Sequence, residues 1–166
     1  MEKTIIDFHS PDEQDRWEMM NDTVMGGVSE SRVSITEDRS ALFQGVVSLE
    51  NYGGFSSMRT RLGAYDLSGY KGVMVRVKGD GKDYRLRLRT DNGHDGIAYQ
   101  AHFRTEKGSW ITARLPFDSF IPVFRGRVIE DAPELNLSGI RRIGFMIADK
   151  QAGPFRLEIQ WAKVYV

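Results

Sequence analysis

The segment DYRLRLRT, residues 83–90, alternates apolar and basic side chains without a break from Tyr84 to Arg89. That period of two restricts the fold more than any other feature of the chain. A β-strand sends successive side chains to opposite faces, so Tyr84, Leu86 and Leu88 share one face and Arg85, Arg87 and Arg89 the other. A helix would scatter both sets around its axis. The same rhythm returns in GVMVRVKG, with Val73, Val75 and Val77 opposite Met74, Arg76 and Lys78. In IAYQAHFR, Ile97, Tyr99, Ala101 and Phe103 oppose Ala98, Gln100, His102 and Arg104. In PFRLEIQWAKVYV, Phe155, Leu157, Ile159 and Trp161 oppose Arg156, Glu158 and Gln160.

Further strands are expected over residues 4–8, 31–36, 41–49, 55–62, 109–115 and 141–148. Turn signals separate them, among them Glu37-Asp38, Gly79-Asp80-Gly81 and Asp91-Asn92-Gly93. A helical period is confined to a turn or two over residues 12–17. Many short, half-buried strands predict an all-β fold, an antiparallel β-sandwich or jelly roll, occupying residues 1–166 as a single domain. The longest irregular stretch, 116–139, carries Phe117, Phe120 and Phe124 and is expected to be pinned to the sandwich as an ordered arm.

Composition narrows the function classes. With 23 basic and 23 acidic residues the formal charge is zero, so no general attraction to nucleic acid or anionic lipid operates. No cysteine is present, which removes disulfides, thiolate metal sites and cysteine nucleophiles. No apolar run approaches the roughly 20 residues of a membrane span, so no direct membrane insertion is expected. The acidic N-terminal segment resembles neither a secretory signal nor a mitochondrial presequence, and a cytoplasmic location is expected.

Catalytic signatures are sparse. Gly26-Gly27 lacks the lysine and helix of a phosphate-binding P-loop, and no G-x-S-x-G nucleophile elbow occurs. His9, His94 and His102 are scattered, with no metal-binding pair. Asp83, Asp91 and Asp95 could offer oxygen ligands to calcium, but no EF-hand spacing is present. We therefore expect no enzyme, no cofactor and no metal centre.

Two constellations invite binding. If residues 31–36 and 41–49 form a hairpin, the loops VMGGVSE and ENYGG, each with paired glycines, lie at the same end of the sheet and could admit a partner's backbone. They could equally pack on one another as a simple corner. If residues 83–90 and 97–104 pair, then Arg85, Arg87, Arg89, Gln100, His102 and Arg104 share one face, joined by Arg59 and Arg61. That face is either a solvated exterior or a binding surface for carboxylates, phosphates or sugar hydroxyls. Such close like charges call for partners, with Asp83, Asp91 and Asp95 the nearest candidates.

The blocks NDTVMGGVSES, FQGVVSLENYGGFSSMRTR, DYRLRLRT, YQAHF, WITARLPFDSF with FRGR, and IGFMIADKQAGPFRLEI run in the order expected of a known family. The chain resembles the complex I intermediate-associated proteins, over nearly its whole length. The resemblance implies a galactose-binding-like jelly roll, similar to carbohydrate-binding modules. It also implies an assembly-factor role for members that chaperone an intermediate of NADH:ubiquinone oxidoreductase, without catalytic residues. Lacking an extension ahead of the domain, the chain is expected to be a stand-alone, bacterial-type member.

Motif positions carried across are Asp22, Thr23, Val24, Met25, Gly26, Gly27, Asn51, Gly53, Gly54, Phe55, Arg59, Arg89, Gln100, Arg125 and Gly126. Together with Arg87 these supply the expected ligand- or partner-binding set: Asp22, Met25, Gly26, Gly27, Asn51, Gly53, Gly54, Arg59, Arg87, Arg89, Gln100 and Arg125. The expected partner is a protein, such as a respiratory-complex intermediate, with an apolar or mixed patch near Met25, Tyr52 and Phe124. The alternative is a glycan or other small ligand on the polar Arg/Gln face, which would require Tyr84 and Tyr99 to point outward.

Overall fold

The structure is a computed structural model. It describes residues 2–21, 30–49, 54–90, 96–125, 127–148 and 151–166. Two antiparallel sheets stack face to face. The six-stranded sheet runs β3 (Glu30–Ile35), β4 (Ala41–Val47), β13 (Gly153–Tyr165), β6 (Gly72–Lys78), β9 (Trp110–Pro116), with β1 (Glu2–Asp7) also paired to β13. The seven-stranded sheet runs β11 (Arg127–Val128), β10 (Ile121–Phe124), β8 (Ala98–Arg104), β7 (Asp83–Arg89), β12 (Arg142–Ile147), β5 (Ser56–Thr60), β2 (Trp17–Asn21).

The core fills the gap between the sheets and obeys the alternation. Val73, Val75 and Val77 from one sheet and Tyr84, Leu86 and Leu88 from the other are fully buried. Phe43 and Phe155 meet edge-on at 4.9 Å, and Phe103 and Phe145 at 6.3 Å, arrangements that add to simple area burial. Tyr99 is also buried, and its hydroxyl donates to the Pro133 carbonyl at 2.6 Å. Tyr84 donates to Asp80 Oδ1 at 3.1 Å, and the Arg156 amide donates to both Tyr84 Oη and Asp80 Oδ2. Neither tyrosine faces outward.

The pairing of β3 with β4 and of β7 with β8 is as expected from the sequence. Two expectations need correction, whereas the helical period holds: the segment 12–17 contributes one 3₁₀ turn, Glu13–Arg16, and the chain then enters a strand. Glu13 is buried because it accepts from the Asp7 amide at 2.8 Å and from Trp17 Nε1 at 3.1 Å. Trp17 itself closes one end of the core.

Trp161 does not continue the core face of β13. A bulge between Ile159 and Trp161 shifts the register by one, so Ala162 and Val164 turn inward instead. Trp161 stays outside, 4.2 Å beneath Lys163 Nζ.

The stretch 116–139 is an ordered arm, as expected, but it contains two strands, β10 and β11. Phe120 is buried and Phe117 packs against the core, whereas Phe124 is 36% exposed on the outer hairpin.

A cationic cleft on the seven-stranded sheet

The outer face of the seven-stranded sheet gathers the arginines. Residues paired side by side point the same way, so the register defines rows across the strands. One row reads Glu18, Arg59, Gly144, Arg87, Gln100, Ile121. The next places Arg142, Arg89, Ala98 and Val123 side by side. On the other side lie Ser57, Met146, Arg85 and His102.

Gly144 explains the depression in the middle of this face. A Cβ there would sit 2.9 Å from the Met58 carbonyl oxygen and 3.3 Å from Arg59 Cβ. With strands spaced about 4.8 Å apart, the backbones of Arg59 and Arg87 stand roughly 10 Å apart on either side of the glycine. The result is a cleft of about 120 Å³ lined by Ser57, Met58, Arg59, Arg87, Arg89, Arg142, Gly144 and Phe145.

Its electrostatics are lopsided. Glu18 Oε1 accepts from Arg142 Nη1 at 2.7 Å and from Arg59 Nε at 3.0 Å, with Arg61 Nη1 3.7 Å from Oε2. Partial burial alone would raise the Glu18 carboxyl, but the hydrogen bonds and charges of Arg142 and Arg59 hold it below its ordinary value. Arg142 also donates to the Thr60 carbonyl at 3.0 Å, Arg89 to the Gly96 carbonyl at 3.3 Å and Arg85 to Gln100 Oε1 at 3.4 Å.

Arg87 differs. No nitrogen of its guanidinium finds an acceptor among the described residues, and its Nε is buried, a state it shares with the Nε of Arg142. Burial, followed by the like charges of Arg89, Arg85 and Arg59, pushes its guanidinium down to about 10, so it remains protonated at neutral pH.

The expected site residues therefore separate. Arg59, Arg87 and Arg89 line one cleft, and Gln100 sits beside Arg87 on the same face. Arg125 is elsewhere, in the turn between β10 and β11. Its φ of 50° is left-handed, and its guanidinium lies 5.3 Å from the Phe124 ring centre. Gly54 precedes β5 with φ 135°, a conformation that favours glycine, and a Cβ there would press on Leu49 at 3.3 Å. Asp22, Met25, Gly26, Gly27, Asn51 and Gly53 lie outside the described residues, as do Tyr52 and Gly126, and so does the question of whether the two glycine loops meet.

Asp83 pairs with Arg104 at 3.4 Å, as expected for this face, while Asp91 and Asp95 lie outside the described residues. The carboxylate that serves the cleft arginines, Glu18, was not among the sequence candidates, and neither were Arg142 and Gly144. A signal existed for Glu18: in WEMMN, Trp17 and Met19 alternate with it. Among the described residues, no group of three or more His, Asp or Glu is placed to hold a metal ion. No helix among them is long and apolar enough to cross a membrane. A larger cavity, about 610 Å³, opens beside β3, β4 and the start of β13, lined in part by Arg32, Gln44, Asp80 and Arg156. None of the expected site residues lines it.

Two stacked antiparallel sheets in this order define a jelly roll of the galactose-binding and carbohydrate-module type. Solved structures agree. A family 11 carbohydrate-binding module from Clostridium thermocellum, in complex with a β-1,3-1,4-mixed-linked tetrasaccharide, superposes with a TM-score of 0.76 at 20% identity, covering 99% of this chain and 95% of that one. The family 30 module of the cellulosomal cellulase Cel9D-Cel44B from the same organism gives 0.62 at 13% identity, covering 99% and 96%. At such identities the likeness concerns the fold.

The chain belongs to the Complex I intermediate-associated protein 30 (CIA30) family, whose profile matches residues 6–159. It is 30% identical over 183 aligned positions to the mitochondrial complex I intermediate-associated protein 30 of Mus musculus, covering 98% of this chain and 56% of that protein. The mitochondrial protein of the same name from Drosophila melanogaster is 28% identical, with 95% and 60% covered. The chain thus spans a little over half the length of these relatives.

Proposed function

We propose that this protein is a non-enzymatic binding domain that recognises a protein assembly intermediate, with a respiratory complex I intermediate as the first candidate. The family match over residues 6–159 carries the reading. The hairpin of β10 and β11 supports it. By register, Ile121 and Val128 share the outer face with Gln100, while Phe124 projects from the other side. Their exposures are 46%, 65% and 36%, so the hairpin offers a mixed apolar edge capped by Arg125, suited to a protein surface. We assign Arg125 and the cleft arginines to partner or ligand contact. Its relatives' names place them in mitochondria; for this chain the compartment follows that of its partner.

The test is native-gel complexome profiling of the tagged protein in cells assembling complex I. Co-migration with an incomplete complex I, and accumulation of that intermediate on deletion, are expected. Migration as the free protein, with complex I levels untouched by deletion, would sink the proposal.

A second reading, a glycan or small-ligand module, draws on the fold likeness and the Arg/Gln face. Among the described strand residues that face carries no Phe, Tyr or Trp on which a sugar ring would stack. Saturable binding of neutral oligosaccharides would favour this reading.

A further inference from the structure

We propose that the cleft over Gly144 is an oxyanion site, taking a doubly charged head group such as a phosphate or a dicarboxylate, with Arg87 as its principal donor. The inference goes beyond the assembly role and stands whether or not that role holds, because the cleft lies two strands away from the β10–β11 hairpin.

Charge supports it first. Four guanidiniums line the cleft, and Glu18 is the carboxylate that the described residues bring to them. An array of like charges in a partly desolvated pocket gains most from an added anion, since screening by water is weak there.

The second support is the vacant donor. The Nε of Arg87 is shut off from water, as is that of Arg142, but Arg142 bonds Glu18 and the Thr60 carbonyl through Nη1, whereas Arg87 has no acceptor and no acidic neighbour among the described residues. A buried donor of this kind costs stability until something accepts from it. The face already shows what it accepts: Glu18 holds two guanidiniums through one carboxylate oxygen, at 2.7 and 3.0 Å. On the other side of Gly144, Arg87 presents the same chemistry without the carboxylate.

Shape is the third. The cleft is small, about 120 Å³, which suits one oxyanion head group. Gly144 keeps its floor bare, which lets an oxygen settle between Arg59 and Arg87.

The experiment is an amide and arginine-Nε NMR titration of the full chain with inorganic phosphate, malonate, chloride and glucose at constant ionic strength. Saturable shifts at Gly144 and Arg87 are expected with phosphate or malonate and not with chloride or glucose. The stronger of the two anions identifies the head group as tetrahedral or planar. Arg87→Gln should weaken binding by about tenfold or more. Glu18→Gln should tighten it several-fold by releasing Arg59 and Arg142, an effect that a purely structural role for these residues would not produce. Shifts that track ionic strength alone, or unchanged affinity in a folded Arg87→Gln protein, would overturn the proposal. Should that variant fail to fold, the Glu18→Gln protein decides: affinity no tighter than wild type counts against the site.

Discussion

The carboxylate of Glu18 lies 2.7 Å from Nη1 of Arg142, a residue 124 positions further along the chain. β2 and β12 are not adjacent; β5 runs between them, and Arg142 reaches past it to Glu18 while also capping the Thr60 carbonyl. Arg142 is nearly buried and Glu18 is not, so the pair is anchored from one side.

Glu18→Gln should therefore destabilise the domain by about 1–2 kcal/mol at pH 7, measured by urea denaturation. The effect should depend on pH. A carboxyl whose folded value is depressed contributes stability above its unfolded value, near 4.5, and that contribution fades as pH falls through the folded value. The gap between wild type and Glu18→Gln should narrow as pH is lowered from about 6 towards 3. A gap that is constant over that range would mean the ion pair is not the cause.

Gly144→Ala should cost about 1–3 kcal/mol, because the new methyl would crowd the Met58 carbonyl and Arg59 Cβ. Thermal unfolding checks this. A neutral outcome would show that β12 can move away from β5.

Tyr84→Phe should cost about 1 kcal/mol by leaving Asp80 and the Arg156 amide without their shared hydroxyl. Burial first, then the charge and hydrogen bond of Asp80, raise the Tyr84 phenol far above its ordinary value. The sign at high pH follows. Above about pH 10 the unfolded chain releases that proton and the folded chain keeps it, so wild-type stability should fall with rising pH. The fall should be shallower in Tyr84→Phe, as followed by denaturation at pH 9 to 11.

Val128→Asp should leave stability within about 0.5 kcal/mol, since Val128 is 65% exposed. In complexome profiling it should nonetheless release the protein from the intermediate. Retained co-migration would move the docking surface away from the β10–β11 hairpin.

Much of the fold was legible because alternation is strongest where one face is wet. β7 declares its two faces residue by residue, and pairing it with β8 was enough to assemble Arg85, Arg87, Gln100 and His102. β12 is the opposite case. RIGFMI is buried at every position, so nothing in it says which side Arg142 or Gly144 takes. β2 was missed because five residues following a 3₁₀ turn offer barely two periods. The bulge in β13 was invisible because an extra residue inserts a phase change while leaving an apolar pattern on both sides of it. Half of the expected binding set lay in the two glycine loops, outside the described residues, and the cleft was completed by residues of β12, with the carboxylate that pairs with its arginines on β2, elements that no local spacing connects.

β13 pairs with β1, β4 and β6 at once. During synthesis, those three strands leave the ribosome long before the residues that must lie between them. The six-stranded sheet cannot close on itself until positions 153–165 have emerged, and loop closure on that scale is slow. The nascent domain therefore waits with exposed strand edges and matures late.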